Sequence, residues 1–553
     1  MNYPGLYEAS ILELQSGLET GKFTSVDLAY LARIEEVNLK GPALRAVIET
    51  NPRALAQATE SDSERRRSGK RSALHGIPIM LKDNMATCAD EGMNTTAGSY
   101  ALYKSIVPGD ATVVAKLRKA GAVFLGKSNM CEWAHSRGKI ATGWSARGGQ
   151  GTNPYYPNGA PCGSSSGSAV ATAIGLAAGS LGTETDGSII CPASYNNVVG
   201  IKPTVGLTSR TGVIPVSSHR DSVGPIARSV EDAAAILTVI AGRDRTDNYT
   251  WTAPAKIPDY SQHLRADAIR GKRFGVPRAA LAKDPYANDP SISIAFNKAL
   301  EIIRSLGGVV IDPAYSPSAD QLEHASRTYG ELVYAVDVKI GLNNYFKSLK
   351  HIPTNVTTLG ELITYNNAHK DLERPKNYEN QSALVISEST TGYNSTYFYA
   401  LNSEYALGRE QGIDAALKIE KLDALIAPSH SEIAPYLAAI SGYPMVSVPL
   451  GFYPPNTTVT PANPGPTIDP APGMPFGISF MGTAYSEPSL IGFAYAYEQH
   501  TRTRLQRRAY PEATPKIQLI DVIQPAGTIQ YIEKKWLALS PLVQWRSYIR
   551  SLR

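Results

Sequence analysis

Cysteine is scarce in this chain, with four in 553 residues. Cys88, Cys131, Cys162 and Cys191 form no Cys-x-x-Cys pair, and none stands in a His/Cys cluster of metal-ligand spacing. A disulfide scaffold and a structural metal are therefore not expected, and the four read as small, buried apolar side chains. Uninterrupted apolar runs are also missing. None approaches the roughly 18 to 20 residues of a membrane span, and Met1-Asn2-Tyr3-Pro4 does not open a signal peptide. A soluble, cytoplasmic protein is expected. The alternative, a secreted form with its leader removed, rests on six Asn-X-Ser/Thr sequons at Asn94, Asn248, Asn355, Asn380, Asn394 and Asn456. Charge is modest, at +5 net. The one dense basic run, Arg65-Arg66-Arg67 with Lys70 and Arg71, reads as a solvated helix face, so no nucleic-acid partner is expected.

Much of what remains is ordinary globular material, with 43% hydrophobic residues. Two N-terminal helices are expected in the first forty residues, one around Ser10–Leu14 and one capped by Thr24-Ser25 that carries Leu28, Leu31 and Ile34. From Gly76 short apolar runs bounded by Gly and Pro follow, such as Ile77–Leu81 and Ala122–Leu125, with a helical stretch from Ala111 to Ala120 between them. Alternating strands and helices predict an α/β sheet. No linker is evident, so a single domain over 1–553 is expected. Its parts are N-terminal helices (1–70), the core motifs (71–240), a Tyr/Asn-rich rim insertion (335–400) and a tail (510–553) docked through Trp536, Trp545 and Tyr548.

Four segments carry chemistry. Gly163-Ser164-Ser165-Ser166-Gly167-Ser168 runs directly into Ala169–Ala178, apolar on nearly all faces. A linker would not lead into a buried helix, and hydroxyls in its first turn sit where the helix dipole favours negative charge. The same residues fit Gly-x-Ser-x-Gly, which would make Ser165 an α/β-hydrolase nucleophile, but Asn153–Pro161 ahead of them is a Pro-rich loop and not the strand that elbow needs. Gly121 through Gly126-Lys127-Ser128 matches a phosphate-loop pattern, yet its interior, Ala122–Leu125, reads as a strand. Gly182-Thr183-Glu184-Thr185-Asp186-Gly187-Ser188 is a polar turn between apolar runs, either a plain connection or a nest of amides able to bind an oxyanion. Lys82 ends an apolar run, and a lysine there either reaches solvent or is desolvated into a base.

Together these residues resemble the amidase signature family, whose pattern is a lysine after a His-Gly-(Ile/Val)-Pro strand, a Gly-Ser-Ser turn, and a serine 24 positions beyond that turn's first serine. Ser164 and Ser188 have that spacing, and the likeness extends through Gly126–Ala134, Val199–Leu207, Ser441–Pro444 and Pro475–Phe480. The resemblance implies a central mixed β-sheet of about eleven strands with helices on both faces. It implies Ser188 as nucleophile, Ser164 in a cis peptide as proton shuttle and Lys82 as base, with Thr185, Asp186, Gly187 and Ser188 forming the oxyanion hole. Ala134, Ser164 and Ile190 are expected against the substrate, and no cofactor or metal is expected. Glu184 and Asp186 depart from the commoner Gly-Thr-Asp-x-Gly-Gly-Ser run but are similar to the peptide amidase and fungal amidase branch, as are Glu132–Ala134 and Gly143–Gln150. Ile190 stands where the glutamine-amidotransferase branch often has Arg, which points to a neutral substrate. The expected activity is hydrolysis of a small or peptidyl carboxamide by a monomer or homodimer. The alternatives are an amidotransferase-like subunit or a carbamate or ester hydrolase.

Overall fold

The computed structural model describes residues 3–282 and 284–523. The expected docking of Trp536, Trp545 and Tyr548 lies outside the described residues. The strands are β1 (Val47–Thr50), β2 (Pro78–Lys82), β3 (Val123–Ser128), β4 (Trp144–Ser145), β5 (Gly149–Gln150), β6 (Gly179–Glu184), β7 (Val199–Lys202), β8 (Ser222–Ala227), β9 (Arg273–Gly275), β10 (Val309–Ile311), β11 (Ala424–Pro428), β12 (Met445–Phe452) and β13 (Pro475–Met481). Eleven of them form one sheet in the order β1-β3-β2-β6-β8-β7-β12-β13-β11-β9-β10, and β4 and β5 form a separate ribbon. The sheet is mixed. β3, β2 and β6 are parallel neighbours, β6 through β11 pair antiparallel, and β11, β9 and β10 are parallel again.

Every residue of β2, β3, β6, β7 and β8 is buried. Strands covered on both faces need small or apolar side chains in both directions, which is why β2 and the first half of β3 read as short apolar runs, while β6 carries glycines and a single large apolar residue, Leu181. Ile79, Phe124, Leu181, Ile201, Ile226 and Val448 lie at the centre of the main core. The apolar segment after the serine turn is the helix Ser166–Ala173, buried at every position. β3 includes Gly126-Lys127-Ser128, and the buried Lys127 Nζ donates to Thr95 Oγ1 at 3.0 Å, so that segment is a strand and not a phosphate loop.

Two expectations need correction, the start of the second helix and the state of the cysteines, and the 335–400 segment gains a definite structure. The second N-terminal helix is Tyr30–Val37 and does not begin at Thr24-Ser25. Asp27 Oδ2 accepts from the amide and hydroxyl of Thr24, and Asp62 accepts from the amides of Ser25 and Val26, so side chains satisfy these donors in a turn. The 335–400 segment is largely helical, with helices Glu331–Ser348, Leu359–Ala368, Ser382–Glu388 and Ser395–Gly408. Val338, Leu342, Phe346, Leu362 and Leu384 from these helices pack with Leu102 and Trp133 in a core of their own. Finally, Cys162 and Cys191 are joined in a disulfide, while Cys88 and Cys131 are free. The two bonded cysteines are 29 residues apart in sequence, and only the packing of their segments brings them together.

Candidate active site

β2 and β6 lie side by side and parallel, with Leu81 opposite Leu181, so their C-terminal ends meet at one edge of the sheet. Lys82 is the last residue of β2, and the Thr185–Ser188 turn follows the last residue of β6. The helix Ser166–Ala173 packs over both strands and delivers the serine turn from above. Parallel strand ends commonly host sites in α/β folds for this reason.

Lys82 has no exposed surface, and Ser164 has almost none. Lys82 Nζ lies 2.7 Å from Ser164 Oγ, 2.9 Å from Ser165 Oγ and 2.8 Å from Thr183 Oγ1, and it also donates to the Thr183 carbonyl at 3.2 Å. Burial disfavours the ammonium and lowers the Lys82 pKa to about 7, only partly opposed by the negative potential of Cys131, Asp221 and Glu184. A neutral amine is thus available near neutrality, within bonding distance of a hydroxyl. The Gly163–Ser164 peptide is cis. The Ser164 carbonyl accepts from the Cys131 amide at 3.1 Å, and the Ser188 carbonyl accepts from the Ser165 amide at 3.1 Å, so the two serine segments are in direct contact.

The Ser188 turn folds around Glu184. Its Oε2 accepts the amides of Ile189 at 2.6 Å and Ile190 at 2.9 Å, and the Gly187 amide bonds the same carboxyl. Burial raises the Glu184 pKa, and Lys202 opposes that shift. Gly187 adopts φ +75°, the left-handed conformation that lets successive amides converge on one point. Thr185 Oγ1 donates to Asp221 Oδ1 at 2.6 Å, anchoring the turn's outer edge. Ser188 is buried but keeps a small exposed surface, and Asp186, beside it, is exposed. The Asp186 pKa is raised to about 7, chiefly by the protein packed around it, with Arg220 opposing and Glu184, Glu404 and Glu432 reinforcing.

The expected substrate residues are placed differently from one another. Ala134 lies in a turn where Trp133, Ala134 and His135 all have positive φ, and it is half-buried. Ile190 has no exposed surface and packs inward against an apolar cluster with Leu281, Tyr436 and Met445, so it supports the site from behind. Two tyrosines of the insertion are held in packing contacts, whereas Tyr393 and Tyr399 are exposed. Tyr378 stacks on Trp144 with ring centroids 4.5 Å apart, and Tyr397 donates to Asp337 at 2.7 Å. Residues that sequence reasoning left out also converge here. Ser165 and Thr183 surround Lys82, Asn84 Nδ2 donates to Thr183 Oγ1 at 3.0 Å, and Tyr334 shares a 2.7 Å bond with Ser136 in the Ala134 turn. Ser165 and Thr183 stood inside the quoted motifs, whereas no local pattern marked Asn84 or Tyr334.

Comparison with known proteins agrees with this architecture. The Amidase family profile matches residues 26–491. A protein of Arthroderma benhamiae named as an amidase is 41% identical over 540 residues, covering 93% of this chain and 89% of that one. The crystal structure of native peptide amidase from Stenotrophomonas maltophilia superposes with a TM-score of 0.81 at 43% identity, covering 92% of this chain and 99% of that one. A glutamyl-tRNA(Gln) amidotransferase subunit of Geobacter metallireducens is 32% identical over 91% of this chain and 99% of its own length. With the Lys-Ser-Ser edge and the eleven-stranded sheet in place, the chain belongs to the amidase family and is a hydrolase of carbon–nitrogen amide bonds.

Proposed function

We propose that Ser188 attacks the carbonyl carbon of a carboxamide, that Ser164 carries the proton released to the departing nitrogen, and that neutral Lys82 drives the transfer. The observation that carries this reading is the 2.7 Å bond from fully buried Lys82 to Ser164 Oγ. A buried amine with a pKa near 7 accepts a proton at neutral pH and returns it to the leaving group, and an acyl-enzyme divides one hard step into two. The amides of Thr185, Asp186, Gly187 and Ser188 stabilise the oxyanion, with the Gly187 amide shared with Glu184.

The substrate is a neutral acyl or peptidyl amide, of which peptide C-terminal amides are the leading class. The likeness to a peptide amidase at 43% identity supports this, against 32% for the amidotransferase relative. Ala134 and Ser164 face the acyl group, and Ile190 shapes the pocket from behind. The Lys82–Ser164 pair and the Ser188 turn are contributed by one chain, which supports action as a monomer or homodimer without an amidotransferase partner. Among the described residues no helix is long and apolar enough to cross a membrane. The disulfide supports the secreted alternative over a cytoplasmic location, as do exposed sequon asparagines such as Asn248, Asn355 and Asn456. Incubation with amidated peptides, anilides, fatty amides and carbamates, followed by intact mass, tests the reading. Ammonia release with a Ser188 acyl adduct is expected. Turnover surviving in Ser188→Ala would overturn it.

A further inference from the structure

The one disulfide among the described residues sits at the proposed catalytic centre. Cys162 comes two residues before Ser164, and Cys191 comes three residues after Ser188. Their Cα atoms are 6.0 Å apart. The two sides of Ser164 are held very differently. On its C-terminal side the chain enters the fully buried helix Ser166–Ala173. On its N-terminal side the chain from Gly151 to Gly163 has no helix or strand and contains Pro154, Pro157 and Pro161. Such a strip must be held by individual contacts rather than by a hydrogen-bonded ladder.

Further back the strip is held by Leu44, Gly143, Ile468 and Tyr510, whereas next to Ser164 the ties run to the 188–196 segment. Asn196 Nδ2 donates to the Pro161 carbonyl at 2.9 Å, and the Ser165 amide donates to the Ser188 carbonyl at 3.1 Å. Asn196 ends the short helix Ile190–Tyr195 that carries Cys191. The disulfide is thus the covalent member of a set of ties joining 161–165 to 188–196. The strip also has no slack on its other side. A Cβ on Gly163 would lie 2.1 Å from Cys131 Sγ, and the Cys131 amide bonds the Ser164 carbonyl. Loss of the covalent tie would leave Ser164 Oγ freer to move against Lys82 and Ser188 while the remaining contacts keep the fold. Displacements well below 1 Å are enough to slow a reaction that depends on alignment.

We propose that the Cys162–Cys191 disulfide is a positioning clamp for the catalytic serines, and that its reduction by a thiol lowers turnover reversibly without unfolding the enzyme. The inference rests on the assignment of Ser164 and Ser188 above. In the step itself a dithiol such as dithiothreitol attacks one sulfur, the S–S bond breaks, and two electrons and two protons pass to the protein as two thiols. The dithiol leaves as its cyclic disulfide. Both cysteines are half-buried and so reachable by a small reductant. Buried Cys131, its thiol pushed up to about 11 by desolvation, stays protonated and does not join the exchange.

The test uses the full chain and a carboxamide found to be turned over. Intact mass with thiol alkylation of the denatured chain is first run without reductant, where two alkylated thiols, Cys88 and Cys131, are expected and four would overturn the proposal. After dithiothreitol treatment kcat should fall about tenfold with KM within about twofold, and the rate of Ser188 labelling by a fluorophosphonate should fall in parallel. Re-oxidation should restore both. Cys162→Ala/Cys191→Ala should match the reduced enzyme and be indifferent to dithiothreitol. A purely structural role would lower the melting temperature and the active fraction, leaving kcat per labelled Ser188 unchanged, and that result would overturn the proposal. Unchanged kcat in the fully reduced enzyme would do the same. Ser188→Ala separates the two levels: turnover in that variant sinks the site assignment, whereas an inactive Ser188→Ala beside a fully active reduced enzyme sinks the clamp alone.

Discussion

Lys82 Nζ and Ser164 Oγ are 2.7 Å apart at a depth where Lys82 has no contact with solvent. An amine in that position is neutral over a range in which a surface lysine is charged, and on the proposed mechanism this sets the pH behaviour of the enzyme.

The acid limb of kcat/KM should have its midpoint near 7, since the Lys82 pKa is lowered to about 7 and only the neutral amine accepts a proton. Stability carries a linked signature. Between about 7 and 10.5 the unfolded chain keeps this lysine protonated while the folded chain does not, so the unfolded state binds more protons and folding stability rises with pH across that window. Lys82→Met should flatten this rise in urea titrations and reduce turnover by about a hundredfold or more.

The two neighbouring serines should separate cleanly. Ser188→Ala is expected to lose activity by about a thousandfold or more, as loss of a nucleophile does. Ser165→Ala removes a hydroxyl that bonds Lys82 and both the amide and carbonyl of Thr183, but no reacting atom, and should keep activity far above that of Ser188→Ala, within about a hundredfold of wild type. Steady-state kinetics with the same amide decides, and the reverse order would point to Ser165 as nucleophile.

Asp186, exposed beside Ser188, should oppose the developing oxyanion once it ionises. Its pKa is raised to about 7, so the carboxyl is neutral below that value and charged above it. Asp186→Asn is therefore expected to raise kcat/KM on the alkaline side by about fivefold or less, the scale of a solvent-screened charge, with little change in acid. A pH–rate profile of the variant checks this.

Glu184→Ala should leave the buried amides of Ile189 and Ile190 without their acceptor, at a cost of about 1–3 kcal/mol for each unsatisfied group. Glu184→Gln retains an acceptor oxygen and should unfold at a denaturant midpoint closer to wild type. Equal midpoints for the two variants would show that the carboxyl does not hold the turn.

Gly167 permits a close approach of helix and strand end. A Cβ there would meet the Ala46 carbonyl oxygen at 2.2 Å and the Asn129 nitrogen at 2.5 Å, both backbone atoms that cannot swing aside. Gly167→Ala should cost about 1–3 kcal/mol in denaturant unfolding, as overpacked cores do.

The centre of the sheet was legible where a strand covered on both faces is apolar, as in β2 and the start of β3. The run Ile77–Leu81 reads as a strand and the structure has Pro78–Lys82, while Ala111–Ala120 reads as a helix and the structure has Thr112–Lys119. The start of the second N-terminal helix was not legible, since Asp62, far along the chain, accepts the amides of Ser25 and Val26 and holds that segment in a turn. Ile190 is expected against the substrate from its position, and the structure adds that it is fully buried in an apolar cluster with Tyr436 and Met445.

The sequence by itself determined which groups could do chemistry: an apolar strand ending in lysine, a hydroxyl-rich turn leading a buried helix, and a second turn with a serine 24 residues on from Ser164. These are local properties of residue type and spacing. Only the tertiary structure decided that Lys82 meets Ser164, Ser165 and Thr183, because the parallel pairing of β2 with β6 brings their ends to one edge. It also decided that Cys162 and Cys191 bond, because a contact between segments 29 residues apart depends on how the whole core closes around them.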